Sequence, residues 1–453
     1  MLRHGRASKS LRFACASGLI IALMMSAATG DGRAAPLPGD VVAANGISDP
    51  YGEFTPLAPA RILDTRTGVG RNGLVGPLAE NTPIDVQITG QGGVASGGVA
   101  AVVMNVTVTQ PTASSYLTVW PSGVPQPDSS NLNFVAGQTI PNHVTVAVGD
   151  GGRVNVVNRF GTAHVIFDVV GFYADDAGPA GSRYHAVDPS RLFDTRDGLG
   201  GVPVAPVGAG GTLAFNVLGR GGVPASGVTG VVMNVTVARA TEWSYLTVFP
   251  GDLVTPPLAS NLNYQPGQAV PNLVTVRIPS SGVVNFYNQF GNVHVMADVV
   301  GYFDEDRSSE AGRFIPLDPY RYYDSRDLDD PWGPDEAWLI GDFPGFGDIP
   351  LGEAEAVVLN VTVTRPTAWS YLSVFPGTIC VLPNVSNLNF VAGQTVPNQV
   401  VTRLGRPGSG CADPEDLETI GVYNFDGSTH VIVDIFGFYT ASTTTLSGPT
   451  APL

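Results

Sequence analysis

Charged residues that could do acid–base chemistry recur at fixed spacing in this chain. The pattern Arg61-x-x-Asp-Thr-Arg66 returns at Arg191 and, as Asp-Ser-Arg, at Arg321. An aspartate follows each copy roughly 100 residues later, first at Asp168. Asp64 and Asp168 could be the acid and base of a glycosidase. Alternatively, the arginines and aspartates form a charge-neutral tie between the first and last strands of a repeat.

The tie is the interpretation that we favour. Neighbouring arginines keep carboxylates ionised, whereas a general acid needs a raised pKa. We therefore predict no catalytic residues and a structural ion-pair motif in each repeat. The motif comprises Arg61, Asp64, Arg66 and Asp168, then Arg191, Asp194, Arg196 and Asp298, then Arg321, Asp324, Arg326 and Asp434.

Histidine and metal chemistry find little support. His164 and Asp168 share one face of a strand but lie roughly 13 Å apart, too far to bond directly. No Gly-x-Ser-x-Gly element accompanies them, so we predict a structural histidine, with no zinc site and no cofactor. Calcium could stiffen the acidic junctions Asp175-Asp176 and Asp304-Glu-Asp306. No spaced calcium loop occurs there, and solvated linker charge is the favoured interpretation.

Tryptophans are the best candidates for ligand binding. Trp243 and Trp369 precede Ser-Tyr at equivalent positions, where the first repeat has Ser114. Trp332 and Trp338 lie in an acidic segment that only the third repeat carries. Exposed tryptophans can stack on sugar rings, and β-sandwich modules often bind glycans in this way. The alternative is that these rings cap the edges of the sandwich.

The elements that must position these residues are organised as three copies of one unit, offset by about 130 residues. A unit of this length is domain-sized, so we predict that each copy folds alone. The predicted divisions are a signal peptide at 1–30, a flexible lead-in at 31–53, repeats at 54–174, 184–304 and 314–440, and a disordered tail at 441–453.

Within each repeat the pattern is that of strands. Apolar and polar residues alternate from Val102 to Thr109, with Val102 and Met104 on one face and Asn105 and Thr107 on the other. About eight such short segments per repeat are separated by Gly, Pro and Asn turns. This spacing predicts an all-β chain of three tandem antiparallel β-sandwich domains, Ig-like or jelly-roll.

The N-terminal segment and the charge indicate an exported protein. Basic residues precede an apolar run from Phe13 to Ala28, as in a secretory signal peptide, and no later run is long enough for a transmembrane helix. The net charge is −16 and Lys9 is the only lysine, which argues against nucleic-acid binding. We expect a secreted, extracellular protein, either free or associated with the cell wall.

Two cysteines remain beyond the predicted signal peptide, Cys380 and Cys411. An even pair in an exported chain predicts one disulfide. The alternative is a pair of buried thiols.

The repeats resemble a module found in exported proteins of actinobacteria. The motifs that carry the resemblance are Arg61–Arg66, Asn105-Val-Thr-Val, Ser130–Phe134, Gly137–Asn142 and Asp168–Tyr173. The resemblance implies an extracellular accessory or surface module, sometimes appended to secreted hydrolases. It carries over no catalytic residues.

Together these patterns predict a non-catalytic secreted or cell-surface repeat protein. Its expected partner is an extracellular glycan or cell-wall polymer, bound for adhesion. Two alternatives stay open: a purely structural surface array that works through protein contacts, and a secreted glycoside hydrolase.

Overall fold

The computed structural model describes residues 51–341, 343, 349–350, 352–406 and 418–442. The predicted signal peptide lies outside these residues, as do most of the lead-in, most of the tail, and Cys411. Within the described part each repeat contributes eight β-strands, and every strand pair is antiparallel.

The strands begin and end at Gly, Pro and Asn turns, as the sequence predicts. The first repeat contains β1 Phe54–Asp64, β2 Ile84–Gln87, β3 Val99–Thr109, β4 Ser115–Pro121, β5 Leu132–Phe134, β6 Ile140–Ala147, β7 Arg153–Asn158 and β8 His164–Ala174. A short 3-10 turn, Asp150–Gly152, precedes β7.

The second and third repeats have the same order of strands. The second contains β9 Arg183–Asp194, β10 Gly211–Asn216, β11 Val228–Ala238, β12 Ser244–Pro250, β13 Leu262–Tyr264, β14 Val270–Arg277, β15 Val283–Asn288 and β16 His294–Asp304. The third contains β17 Phe314–Asp324, β18 Glu336–Ile340, β19 Ala354–Thr364, β20 Ser370–Pro376, β21 Leu388–Phe390, β22 Val396–Arg403, β23 Ile420–Asn424 and β24 His430–Thr440.

Each repeat folds into two four-stranded sheets that face each other. In the first repeat the orders are β1-β8-β3-β6 and β2-β7-β4-β5, and the other two repeats follow the same scheme. Val102 and Met104 point into the space between the sheets, where they pack with Val119 and Val156 of the second sheet. The six sheets therefore form three sandwiches. This confirms the predicted all-β sandwich class, and it leaves Ig-like and jelly-roll topologies as predictions.

The second face of each longer sheet is also buried. Ala101 and Val103, which alternate with the sandwich-facing residues, belong to a fourth apolar cluster that includes Val232 of the second repeat and Val358 of the third. Near one end of this cluster the hydroxyl groups of Tyr173 and Tyr439 lie 2.5 Å apart. The three repeats thus surround a shared core, which we call the axis.

Backbone hydrogen bonds close the three repeats into a ring. The starts of the first strands bond in a cycle, Phe54 N to Ser182 O at 2.7 Å, Tyr184 N to Gly312 O at 2.9 Å, and Phe314 N to Gly52 O at 2.9 Å. A Cβ atom at Gly52 would lie 2.6 Å from the Phe314 carbonyl oxygen, so this approach requires glycine. The three tandem sandwiches are thus arranged as a propeller-like ring, which the sequence does not predict.

Among the described residues, no helix has the length and apolar character needed to cross a membrane.

Candidate functional site

The recurring arginines and aspartates lie in contact between the first and last strands of each repeat. Arg61 binds Asp168 through two hydrogen bonds of 2.8 and 3.1 Å, and its Nη1 lies 3.2 Å from Asp64. Arg66 holds the other side of Asp64 with bonds of 3.0 and 2.7 Å. Arg61 faces Asp168 because these two residues are register partners in the β1–β8 pair.

The same geometry recurs in the other repeats. Arg191 binds Asp298 at 2.7 Å and Arg196 binds Asp194 at 2.6 Å. In the third repeat, Arg321 binds Asp434 at 3.0 Å and Arg326 contacts Asp324.

The pKa values of the two aspartates in each motif are shifted in opposite directions. Burial raises the pKa of Asp64, but the hydrogen bonds and charge of Arg66 more than offset this, so the pKa lies below its ordinary value. Burial outweighs Arg61 at Asp168, and its pKa is raised. At Asp434 burial raises the pKa to about 6. Only the first aspartate of each motif is held by a second arginine, so its pKa is lowered while the pKa of the second aspartate is raised.

A carboxyl group with a raised pKa beside one with a lowered pKa would suit a glycosidase. A substrate, however, cannot reach these two carboxyl groups. Asp64 and Asp168 are only 2% and 1% exposed. Each is held by an arginine through two hydrogen bonds. A glycosidic oxygen cannot come within proton-transfer distance of either carboxyl group. The geometry therefore favours the structural tie.

His164 belongs to the same structural region. Its Nδ1 lies 3.0 Å from Thr65 Oγ1, and that hydroxyl oxygen accepts a hydrogen bond from Val165 N at 2.9 Å. The same contact recurs between His294 and Thr195 at 3.0 Å. Burial, followed by the charge of Arg66, lowers the pKa of His164. The histidine thus fastens the loop after β1 to β8.

Three other repeated motifs meet at the axis, where they join one repeat to the next. Asn105 donates its side-chain amide to Ser260 O, and its oxygen accepts a bond of 3.0 Å from Asn272 Nδ2. Asn272 Oδ1 in turn accepts a bond of 3.1 Å from the backbone of His143. His143 lies on β6, an edge strand whose unpaired N–H groups need partners. The asparagines supply those partners.

This set of contacts is cyclic. The Asn272 amide bond to Asn105 is repeated from Asn398 to Asn234 at 3.1 Å and from Asn142 to Asn360 at 2.9 Å. All six asparagines are at most 2% exposed. Sequence analysis missed this role. The available signal was the recurrence of an asparagine in three motifs within every repeat.

One position on the axis differs among the repeats. His143, Leu273 and Gln399 are equivalent, and the His143 Nδ1–H donates to Gln399 Oε1 at 2.5 Å. His143 Nε2 is buried without a hydrogen-bond partner. Burial lowers the pKa of His143 to about 4, against a smaller opposing effect of the Gln399 hydrogen bond.

Two of the four candidate tryptophans are packed into the protein. Trp332 is 1% exposed, donates a hydrogen bond to Tyr323 Oη and stacks on Trp338 with ring centroids 5.8 Å apart. Trp338 is partly buried against the core of the third repeat. The prediction that Trp332 offers an exposed ring to a ligand is therefore wrong, because Trp332 fills the third sandwich. Trp338 covers the face of Trp332 and stays a prediction as a ligand-binding residue.

The other two tryptophans are exposed and line one cleft. Trp243 is 50% exposed and Trp369 is 55% exposed. Each follows a residue with left-handed backbone, Arg239 at φ 54° and Arg365 at φ 55°, which turns the chain before the next strand. Gln110 has the same conformation in the first repeat, so Ser114 takes the equivalent place there.

The cleft has a volume of about 300 Å³ and lies at the end of the axis opposite the first residues of β1, β9 and β17. Besides the tryptophans, the cleft is lined by one segment from each repeat: 138–141, 263–271, and parts of 389–397. Gln138, Gln268 and Gln394 are the equivalent polar residues among them. Sequence analysis missed these glutamines, although each follows a glycine in a recurring Gly-Gln motif.

The remaining candidate sites are metal sites, the acidic junctions and the cysteine pair. No group of three or more His, Cys, Asp or Glu residues is placed to hold a metal in the described part of the chain. Asp304 lies 2.8 Å from His185 Nε2, and Asp175 accepts a bond from Ala177 N. Because Cys411 lies outside the described residues, the disulfide with Cys380 stays a prediction.

No protein-family model and no curated protein matches this chain. Among solved structures, an archaeal-virus protein described as a triple jelly roll aligns over 86% of this chain and 90% of its own, at 10% identity and a TM-score of 0.16. A structure from Sulfolobus turreted icosahedral virus aligns over 86% of this chain and 92% of its own, at 9% identity and a TM-score of 0.17.

A third solved structure is the N-terminal CBM22-1–CBM22-2 tandem domain of Paenibacillus barcinonensis Xyn10C. It aligns over 54% of this chain and 98% of its own, at 11% identity and a TM-score of 0.16. TM-scores this low carry no argument about the fold or the function of this chain, which rest on the geometry above.

Proposed function

We propose that this chain is an exported, non-catalytic binding protein whose ligand is an extracellular carbohydrate or cell-wall polymer. The observation that carries the proposal is the pair Trp243 and Trp369, each about half exposed, on the walls of one cleft. Aromatic faces bind the apolar faces of sugar rings, and exposed apolar surface in a concave site marks a binding region. Export is supported by the N-terminal segment, and extracellular placement by the resemblance of the repeats.

The repeated charged residues support a binding role over a catalytic one. The acid and base candidates Asp64 and Asp168 are buried in ion pairs that fasten strands. The cleft presents two exposed tryptophans on sheet and turn segments, and a rigid support lowers the entropy that binding must overcome.

A glycan array and a pull-down on isolated cell walls test the proposal. The protein is compared with a Trp243→Ala/Trp369→Ala variant. Phe160→Ala is the matched control, since Phe160 is 48% exposed and does not line the cleft. We expect saturable binding by the protein and the control, and its loss in the double variant.

A structural surface array remains the second candidate. It is supported by the number of repeated motifs that are engaged in joining the repeats. Absence of glycan and cell-wall binding by all three proteins would favour it and reject the carbohydrate proposal.

A further inference from the structure

We infer that the cleft is one composite site that takes the end of a neutral glycan chain, with one site in each molecule. This inference rests on the proposed function and goes beyond it in three respects: the charge of the ligand, the part of the glycan that binds, and the stoichiometry.

The stoichiometry follows from the lining of the cleft. Gln138 comes from the first repeat, Trp243 and Gln268 from the second, and Trp369 and Gln394 from the third. Although the chain is an internal triplicate, the walls are not threefold, because Ser114 replaces tryptophan in the first repeat. Three sandwiches thus build one site, and only two of them contribute a tryptophan to its wall.

The charge of the ligand follows from the same lining. The residues around the cleft are glutamines, asparagines, a threonine, prolines and apolar side chains, without a single Asp, Glu, Lys or Arg. This neutrality occurs in a protein with a net charge of −16. A charged ligand would find no counter-ion there, and removing it from water would be costly.

Amide groups supply directional contacts to such a ligand. Gln138 Oε1 accepts a bond of 3.0 Å from Val135 N, Gln268 Oε1 one of 3.0 Å from Gln265 N, and Gln394 Oε1 one of 3.1 Å from Val391 N. Each bond fixes the side chain and leaves its NH₂ group as a donor. Preorganised neutral donors suit the hydroxyl oxygens of a sugar.

The floor of the cleft indicates that a chain end binds. Pro141, Pro271 and Pro397 line the cleft. The residue after each proline is one of the six asparagines that join the repeats at the axis, and each of these three is 1% exposed. A polymer therefore cannot thread along the axis. A volume of about 300 Å³ lies at the small end of ligand sites, which span roughly 300–1,000 Å³. This space suits one or two sugar rings.

Calorimetric titration tests the inference with maltohexaose, cellohexaose, mannohexaose and xylohexaose as neutral probes, tetragalacturonate as a charged probe and hexaproline as a peptide probe. We expect at least one neutral probe to bind with one ligand per chain. Its affinity should change less than twofold between about 0.05 and 0.5 M salt, because no charges meet. We also expect a trimer of the same sugar to bind about as well as the hexamer.

Substitution of the glutamines tests the donors. In Gln138→Glu/Gln268→Glu/Gln394→Glu each residue keeps the oxygen that bonds to the backbone but loses the NH₂ donor. We expect an affinity loss of about tenfold or more, with an unchanged unfolding midpoint. Gln91→Ala, an exposed glutamine away from the cleft, should bind as the unaltered protein does.

The outcomes separate this inference from the proposed function. Trp-dependent glycan binding with three ligands per chain, with preference for tetragalacturonate, or with full affinity in the glutamine variant would overturn the inference and leave the proposed function standing. Binding of hexaproline with no neutral sugar bound, or failure of both the glycan array and the cell-wall pull-down, would overturn both.

Discussion

The cleft at one end of the axis, which we call the mouth, and the interior of the axis use similar residues in opposite ways. In the interior, Asn105 and Asn272 direct their amides at other repeats and are at most 2% exposed. At the mouth, Gln268 uses only its oxygen within the chain, and Trp243 is 50% exposed. The interior polar groups are already occupied in holding the fold together. Those at the mouth remain available to a ligand.

This comparison explains which sequence features bear on function. The thrice-repeated motifs that build the ties and the ring are buried, whereas the thrice-repeated Gly-Gln motif lines the cleft. The position that distinguishes the repeats at the mouth, Ser114 against Trp243 and Trp369, is exposed. Substitutions in the interior should therefore change folding, and those at the mouth should change binding.

The largest expected contrast is between two tryptophans of the third repeat. Trp332→Ala should lower the free energy of unfolding by about 3–5 kcal/mol, because it empties a fully buried position. Trp369→Ala, which removes a ring that is 55% exposed, should cost about 1 kcal/mol or less. Urea denaturation measures both. Equal losses would contradict the division between mouth and interior.

Asp168→Ala tests the tie. It removes a buried carboxyl group and leaves Arg61 with Asp64 alone, so we expect a loss of about 3–4 kcal/mol in the same assay. The control is Asp252→Ala, since Asp252 is an exposed partner of Arg277 and should contribute less than about 1 kcal/mol. A loss below about 1 kcal/mol for Asp168→Ala would reject the tie.

The interior also predicts a pH dependence. The unfolded chain protonates His143 near pH 6.5, whereas burial delays protonation in the fold until about pH 4. Between these values the unfolded state binds more protons, so His143 lowers stability as the pH falls from about 6.5 to 4, by about 3 kcal/mol in all.

His143→Leu should remove this part of the pH dependence, because leucine already stands at the equivalent Leu273. The measurement is the difference in unfolding free energy between the protein and the variant across that pH range. A difference that does not vary with pH would show that His143 keeps its ordinary pKa in the fold.

Among the interior substitutions, the smallest stability effect is expected at the six buried asparagines of the axis. Asn272→Ala should cost about 2 kcal/mol, because the buried His143 N–H loses its acceptor. Asn216→Ala, at an exposed asparagine, is the control. Native-state hydrogen exchange gives a local readout, since protection of the His143 amide should fall in Asn272→Ala alone. Unchanged protection there would argue that the bond between the repeats is absent in solution.

Much of the fold could be predicted from the sequence because strands are local patterns. Alternation along Val102–Thr109 and the Gly and Pro turns fix the strands and the sandwich. The Arg61–Asp168 pairing follows from residue types at fixed places in a repeat. Ring closure could not be predicted, because its contacts join residues as far apart as Asn105 and Ser260. A strand whose two faces are both buried still alternates, so nothing local shows that Asn105 faces another repeat.

The tryptophans show the same limit. Trp332 forms an isolated β-bridge with Thr429, and Leu78 of the first repeat forms the equivalent β-bridge with Ala163. Trp338 pairs with Val422 where Ile84 pairs with Val156. Both tryptophans therefore occupy aliphatic core positions of the other repeats. The extra residues around them hide this equivalence in the sequence, whereas Trp243 and Trp369 align directly.

The most direct test of the account measures binding and stability together in Trp243→Ala/Trp369→Ala. The variant and the unaltered protein are compared for retention on the neutral glycan that scores highest on the array, and for their urea unfolding midpoints. The account predicts that retention is lost while the midpoint hardly moves. Retention equal to that of the unaltered protein, with a midpoint that falls, would place these two rings with Trp332 as packing residues and contradict a binding site at the mouth.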